Sequence, residues 1–221
     1  LQARNDELTT LNRINETIRE IDQALVRAET REEIDHTVCD LLTADDRFRF
    51  AWVGSVDAAG EVVEPRAWAG ADQGYLDAMS FDVDAVDVEP AGRTAATQTV
   101  TEVSNVATDL RAAPWRTDAL ARDFLSVLSI PLAYDDVTHG VLTVYAPNQD
   151  AVDETGKTVL AELGETIAEE TMSHIRMDSL SIVLDSMIDV ADEDAAFKIR
   201  VFLVPDPGSF VNLLDHLSVE E

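Results

Sequence analysis

Apolar side chains recur at intervals of three and four near the start of the chain, which predicts one long helix from about Asn5 to Ala28. No Gly or Pro interrupts this stretch, and at roughly 1.5 Å per residue the helix would be about 36 Å long. Its apolar stripe consists of Leu8, Leu11, Ile14, Ile18, Ile21 and Leu25. Such a narrow stripe favours pairing with the same helix of a second chain. The alternative is a helix that lies on its own domain.

Between residues 28 and 176 the apolar pattern alternates between helical and strand periods. A capping box of Thr30 and Glu33 predicts the start of a helix that ends near Ala44. Further helices are predicted at 75–79, 92–98, 114–122 and 153–176, and strands at 48–56, 62–69, 100–103, 125–134 and 140–146. Because strands joined by tight turns pair antiparallel, the predicted class is α+β. We expect an antiparallel sheet of roughly five or six strands with helices packed on it, preceded by the long N-terminal helix.

The pattern is less regular in residues 177–221. Leu180 to Ile188 fit a blurred helical period, Phe197 to Val204 predict a strand, and Ser209 to Leu217 predict a short helix. About 45 residues of this kind cannot close a core of their own. We therefore expect three parts: an N-terminal helix over 1–27, a domain over 28–176, and a linker with the start of a truncated domain. A start at Leu1 suggests a fragment of a longer protein.

Charge narrows the range of partners. Asp and Glu number 44 against 16 Lys and Arg, which gives a formal net charge of -28. The acids are dispersed along the chain, as in a protein adapted to concentrated salt, where screening limits repulsion to about 3 Å at 1 M. DNA contact needs a basic stripe, and the sequence has none. If the parent protein binds DNA, we expect a different segment to do so.

Candidate reactive residues are few. A single cysteine, Cys39, excludes an intrachain disulfide and a multi-cysteine zinc site, and we expect it to be buried and inert. The histidines do not have metal-ligand spacing: His36, His139, His174 and His216. The acidic loop lacks the residue order of a calcium loop, so its acids are expected to be solvated: Asp82, Asp84, Asp87 and Glu89.

Motifs for catalysis and for membrane insertion are also missing. The sequence has no Gly-rich phosphate loop and no nucleophile elbow, so we expect no enzyme activity. No apolar run reaches the roughly 18 residues of a membrane span. The first apolar stretch is interrupted by charge, unlike a signal peptide. We therefore expect a cytoplasmic protein without a membrane partner.

Several segments resemble GAF domains, a GAF/PAS-like sensory fold. Ser126–Leu132 followed by Gly140–Tyr145 is similar to the last two strands of that family. Pro90–Thr94 followed by Val100–Val103 is similar to its short helix and next strand, and residues 160–168 resemble its C-terminal helix. Each motif is weak by itself, but their order and spacing are together fairly specific.

A closer resemblance is to the GAF domain of archaeal bacterio-opsin activator-like transcription regulators. It rests on Phe50–Gly54, Arg66–Gly70, Tyr75–Asp77 and Pro114–Arg116, and Phe197–Leu217 resembles the start of the linking domain that follows in those proteins. The resemblance implies a regulatory role in a salt-loving archaeon. It implies DNA binding only through a helix-turn-helix that this chain lacks.

The resemblance also implies a small-molecule site between the sheet and the irregular middle segment. Candidate lining residues are Trp68, Tyr75, Trp115 and Phe124, with Arg93 or Arg116 available for an anion. The alternative is that these aromatic residues fill the core of a ligand-free structural dimerisation domain, for example in a histidine kinase. Methionine sulfoxide reduction, an activity of GAF-type enzymes, needs several cysteines, which disfavours an enzyme. The ligand or cofactor stays unknown.

Overall fold

A computed structural model describes residues 16–44, 47–84, 88–108, 115–135, 137–149 and 151–191, with side chains described as far as residue 175. The chain divides into two compact units, Leu1–Asp178 and Ser179–Glu221. The first unit contains all the strands given below. In the second unit, the described part is helical backbone up to Ala191.

The first unit follows the predicted order of elements. The helices are α1 (helical over residues 16–25), α2 (Arg31–Thr43), α3 (Tyr75–Ala78), α4 (Pro90–Thr97), α5 (Trp115–Ala121) and α6 (Glu154–Ala191). The strands are β1 (Phe50–Val56), β2 (Val63–Gly70), β3 (Thr101–Val103), β4 (Ser126–Tyr134) and β5 (Val137–Ala146). They form a 5-stranded sheet in the order β2-β1-β5-β4-β3. Every pairing is antiparallel, which confirms the predicted fold class.

Alternation along the central strands gives the sheet two buried faces, because successive side chains of a strand point to opposite sides. In β1, Ala51 and Val53 belong to one core cluster, and Phe50 and Trp52 belong to the other. This double burial explains why the central strands are apolar at nearly every position, without the polar alternation of a strand with one wet face.

The helix-face cluster is the aliphatic core on one side of the sheet. Helices α1, α2 and α6 cover it, and its largest side chains are Phe48, Ile21, Leu25, Ile34, Leu42, Leu128, Ile130, Leu132, Leu142, Leu160, Leu163 and Ile167. The aromatic-face cluster lies on the opposite side, beneath the irregular middle segment with α3, α4 and α5. Its largest members are Phe50, Trp52, Tyr75, Phe81, Trp115, Phe124 and Tyr145.

The described part of α1 packs on its own domain. Ile21 and Leu25 are buried in the helix-face cluster, and Ile18 packs against it. Leu8, Leu11 and Ile14 lie outside the described residues. Pairing of this helix with a second chain stays a prediction.

Some element boundaries differ from the predicted ones for local reasons. Helix α4 begins at Pro90, two residues early, because Pro is favoured at the first helical position. Strand β5 begins at Val137, so the predicted turn over 135–139 is too long. Helix α6 continues to Ala191, beyond the predicted end near Arg176, since no Gly or Pro stops it there. The strand and helix predicted between Phe197 and Leu217 lie outside the described residues.

The helix start predicted at Thr30 is confirmed. The Thr30 side chain accepts a hydrogen bond from the amide of Glu33 at 3.2 Å. The Glu33 carboxylate in turn accepts from the amide of Glu29 at 2.8 Å, one residue earlier than in the standard capping box. These bonds fix where the chain turns from α1 into α2.

Candidate functional site

The aromatic-face cluster is a set of mutually packed rings. The pairing of β1 with β5 places Phe50 opposite Tyr145, and their ring centroids are 5.4 Å apart. Phe124 stacks on Phe50 at 5.8 Å. Tyr75 meets Tyr145 edge-on at 5.3 Å, and Trp52 meets Phe81 at 4.5 Å. Such distances are favourable for aromatic pairs, so the rings hold one another in place.

A carboxylate is buried within this apolar surround. Glu89 is the N-cap of α4 and is 1% exposed. Its Oε2 accepts a hydrogen bond from the amide of Ala91 at 2.7 Å, as expected of an acid at a helix N-terminus. Gly92 allows α4 to approach closely, because a Cβ there would overlap the carbonyl oxygen of Asp82.

Glu89 ends a buried hydrogen-bonded chain. Trp52 Nε1 donates to Tyr145 Oη at 3.2 Å, and Tyr145 Oη donates to Glu89 Oε1 at 2.6 Å. Burial raises the pKa of Glu89 to about 7, although the bonds from Tyr145 and Ala91 and the charge of Arg93 oppose the shift. Burial also raises the pKa of Tyr145 well above its ordinary value, and the neighbouring Glu89 charge adds to this. The carboxyl group can therefore gain or lose a proton near neutral pH.

Two further polar groups lie in the cluster. Trp115 Nε1 is buried and has no hydrogen-bond partner among the described residues, and the buried Tyr75 hydroxyl interacts with the Tyr145 side chain. Burial, followed by the charge of Glu89, raises the pKa of Tyr75 well above its ordinary value, so the hydroxyl keeps its proton. A buried polar group without a partner is uncommon in folded proteins and calls for an explanation such as an ordered water, an ion or a ligand.

The structure brings together three of the four predicted aromatic lining residues. Tyr75, Trp115 and Phe124 all belong to the aromatic-face cluster. Trp68 lies on edge strand β2 opposite Trp52 and is 49% exposed, outside the buried cluster.

The two candidate anion-binding arginines hold backbone groups. Arg93 is buried, and its Nη2 donates to the carbonyl oxygen of Val88 at 3.4 Å. Arg116 donates from Nε to Val106 O at 2.8 Å and from Nη2 to Ala107 O at 2.9 Å. The bonds of Arg116 tie α5 to the loop after β3. Anion binding at Arg116 would compete with these bonds.

The sequence-based prediction misses the residues at the centre of the site. It treats Trp52 and Tyr145 only as strand residues and Glu89 as a solvated acid. The expectation for Glu89 is wrong because this residue caps α4 beneath the middle segment, where solvent does not reach it. A usable signal is present, since an acid directly before Pro90 is typical of a helix start.

Other candidate residues lie away from this cluster. Cys39 is buried, as expected, and its Sγ lies 3.6 Å from the carbonyl oxygen of Ala67. Burial, followed by nearby acids, raises its pKa and makes it inert as a nucleophile. Within the described ranges, no group of three or more His, Cys, Asp and Glu residues could hold a metal ion. Among the helices of those ranges, none combines the length and the apolar character of a membrane span.

This architecture matches a known family. A sheet with a helical face and a second face under an irregular segment fits the GAF fold, and the family model described as "GAF domain" matches residues 28–169. The chain belongs to the GAF domain family. The match includes all five strands and Glu89.

Its curated relatives are haloarchaeal regulators. This GAF chain is 34% identical over 167 residues to a Haloferax volcanii protein named "Putative transcriptional regulator", a match that covers 76% of this chain and 27% of that protein. It is 30% identical over 159 residues to the bacterioopsin transcriptional activator of Halobacterium salinarum, covering 71% of this chain and 22% of that protein. The chain therefore spans about a quarter of the length of either relative.

Solved GAF structures share the fold at low identity. The GAF domain of a phosphoenolpyruvate-protein phosphotransferase from Coxiella burnetii superposes with a TM-score of 0.63 at 14% identity, covering 76% of this chain and 96% of that one. The free methionine-R-sulfoxide reductase of Neisseria meningitidis, in complex with its substrate, superposes with a TM-score of 0.63 at 15% identity, covering 74% and 91%. The fold thus occurs both as a sulfoxide reductase and as one domain of a phosphotransferase, so the fold by itself does not determine the activity.

Proposed function

We propose that this GAF domain is the sensory module of a haloarchaeal transcription regulator and that a small molecule binds at the Glu89–Tyr145–Trp52 chain. The single observation that carries the proposal is the fully buried Glu89 at the centre of the aromatic-face cluster. The likeness to two haloarchaeal regulators supports the regulatory part.

The energetic argument concerns what a carboxylate costs inside a core. Removing an ionised carboxylate from water costs several kcal/mol even after the protein relaxes. A core that served only for packing would be more stable with an apolar side chain of similar size at position 89. A polar centre in the same cluster as the unpaired Trp115 donor is better explained by a ligand that completes the hydrogen bonds there.

A path from this site to the helices runs through the sheet. Tyr145 lies on the aromatic face of β5, while Leu142 and Val144 of the same strand pack in the helix-face cluster. Movement of β5 at Tyr145 would therefore shift side chains against α1, α2 and α6. His174 of α6 also contacts the carbonyl oxygen of Ala28, with its Nε2 at 2.9 Å, which joins α6 to the turn after α1.

A second candidate function is a ligand-free dimerisation domain, which the close ring packing favours. Phe50 and Phe124 are stacked with an interplanar angle of 7°, as in a filled core. In either case the chain would act as a homodimer through its N-terminal helix, in the cytoplasm. DNA would be contacted by a segment other than this one, since a net charge of -28 opposes phosphate binding.

Catalysis is not part of the proposal. Reduction of methionine sulfoxide by cysteine chemistry needs at least two thiols to form a disulfide, and this chain has a single, buried cysteine. The site residues are better suited to binding a small molecule than to catalysing its reaction.

A fluorescence titration at molar salt tests the proposal. Nucleotides, tetrapyrroles and a haloarchaeal metabolite extract would be added to the wild-type chain, to Glu89→Gln and to Asp35→Asn. The Asp35 variant is the matched control, because this acid is also buried but lies on the helix face. We expect the tryptophan emission of wild type and Asp35→Asn to respond, with a weaker response from Glu89→Gln. No response to any addition would favour the ligand-free alternative.

A further inference from the structure

The segment over residues 72–80, which we call the strap, crosses the aromatic-face cluster between the end of β2 and Asp82, which forms an isolated antiparallel bridge with Val62. It is fixed to the sheet at both ends by backbone hydrogen bonds. The Ala71 amide donates to Arg49 O at 2.8 Å, and the Val63 amide donates to Phe81 O at 2.9 Å. The strap is therefore held at two points, with the single-turn helix α3 between them.

Local bonds give the strap a shape of its own. The carboxylate of Asp72 accepts from the amides of Gly74 and Leu76, each at 2.9 Å. Gln73 and Gly74 both have positive φ, 49° and 75°. Left-handed backbone is strained for a residue with a side chain, and such strain persists where the surroundings hold it in place.

Tyr75 is the side chain that the strap inserts into the site. It is fully buried and meets the rings of Phe50, Phe124 and Tyr145 edge-on. The Tyr145 hydroxyl is the group that donates to Glu89. Withdrawal of Tyr75 would therefore uncover the hydrogen-bonded chain without moving any strand.

One arginine holds the first half of the strap. Arg122 donates from Nε and Nη2 to the carbonyl oxygen of Gln73 at 3.3 and 3.2 Å. Its Nη1 donates to Asp118 O of α5 at 2.9 Å, and the guanidinium lies over the Tyr75 ring at 5.4 Å from the centroid. The planar guanidinium can make all these contacts at once, which a lysine cannot.

We propose that the strap is a lid over the Glu89 site and that Arg122 is its latch. This inference rests on the proposed function for its purpose, because the lid would control entry of the molecule bound there. Arg122 acts through Tyr75 and Gln73, so it is a positioning residue. Opening separates the Arg122 contacts and rotates the strap about its two fixed ends, while the sheet stays folded.

Hydrogen exchange of the 221-residue chain at molar salt tests the latch without any ligand. In Arg122→Ala, we expect the strap amides to exchange about tenfold faster than in wild type, as for local opening, with sheet amides unchanged. The amides to follow are Tyr75, which donates to Asp72 O, and Ala78, which donates to Gly74 O. Arg122→Lys keeps the charge but not the forked geometry, so we expect a smaller increase.

The matched control is Arg49→Ala. The Arg49 side chain is half-exposed and pairs with Asp123 at 3.6 Å, next to the latch in sequence, but it does not hold the strap. A second readout is acrylamide quenching in a Trp68→Phe background, which removes the exposed tryptophan and leaves Trp52 and Trp115. We expect stronger quenching in Arg122→Ala than in Arg49→Ala.

Unchanged strap exchange in both Arg122 variants would overturn the lid, and so would faster exchange spread equally over the sheet. Because this test needs no ligand, its failure is separate from that of the proposed function. If the chain binds a small molecule but exchange in the strap does not depend on Arg122, only the lid proposal would be refuted. If the Arg122 variants loosen the strap as expected but the chain binds no small molecule, only the sensory site would be refuted.

Discussion

Each face of the sheet buries one acidic side chain, and the two carboxyl groups have different kinds of hydrogen-bond partner. On the helix face, Asp35 accepts two hydrogen bonds from Arg66, both at 2.9 Å. On the aromatic face, Glu89 accepts one bond from a tyrosine hydroxyl and one from a backbone amide. The first acid has a matched cation in direct contact, whereas the direct partners of the second are neutral groups.

The difference lies in the bonding geometry, because burial raises the pKa of both acids to about 7. The charge of Arg31 opposes the shift at Asp35, and the bonds from Tyr145 and Ala91 and the charge of Arg93 oppose it at Glu89. An acid paired with arginine fits a structural role, and one held by neutral groups is suited to respond to a ligand or a proton.

The largest expected effect comes from breaking the pair on the helix face. Arg66→Ala leaves Asp35 as a buried charge without its forked partner, so we expect a loss of about 3–5 kcal/mol in unfolding free energy. Chemical denaturation at molar salt measures it. Replacement of both residues together, Asp35→Leu with Arg66→Met, should restore most of the loss. If the double variant is as unstable as the single one, the ion pair is not the source of the effect.

The pH dependence of stability tests the Glu89 side of the comparison. The pKa of Glu89 in the folded chain is about 7 against an ordinary value of 4.5. Between these values the folded state holds the proton more tightly, so stability falls as pH rises, by about 3 kcal/mol in total. Denaturation of wild type and Glu89→Gln from pH 4 to 8 isolates this contribution from the other acids. A difference in unfolding free energy between wild type and Glu89→Gln that does not change with pH would contradict this prediction.

The smallest of these effects concerns the tyrosine. Tyr145→Phe removes the donor to Glu89 and the acceptor of Trp52, which we expect to cost about 2 kcal/mol in unfolding free energy. Because a bond to the charged form is lost, the midpoint of the Glu89 titration should also move upward. A Tyr145→Phe variant as stable as wild type, with an unchanged Glu89 titration, would indicate that the bond contributes nothing.

The sequence predicts the sheet better than the site. The capping box at Thr30 and the apolar strands are readable because each depends on neighbours within a few residues. Tyr75, Trp115 and Phe124 can be found because large aromatic residues are usually buried. The pairing of Glu89 with Tyr145 cannot be found in this way, since it joins residues 56 positions apart in the sequence.

One wrong expectation has a physical origin. The solvated state expected for Glu89 follows from the ordinary behaviour of charged residues. The fold overrides that behaviour, because Glu89 is buried as a helix cap. The anion-binding role considered for Arg93 or Arg116 stays a prediction.

The most direct test of a receptor site at Glu89 is a search for a molecule retained by the protein. The chain would be produced in a haloarchaeal host as wild type, Glu89→Gln and Asp35→Asn, purified at molar salt, and denatured to release bound compounds for mass spectrometry. We predict one compound released in near-equal amount from wild type and Asp35→Asn protein, and lost from Glu89→Gln. Release of no compound from any of the three, or of the same compound from all three, would contradict the account.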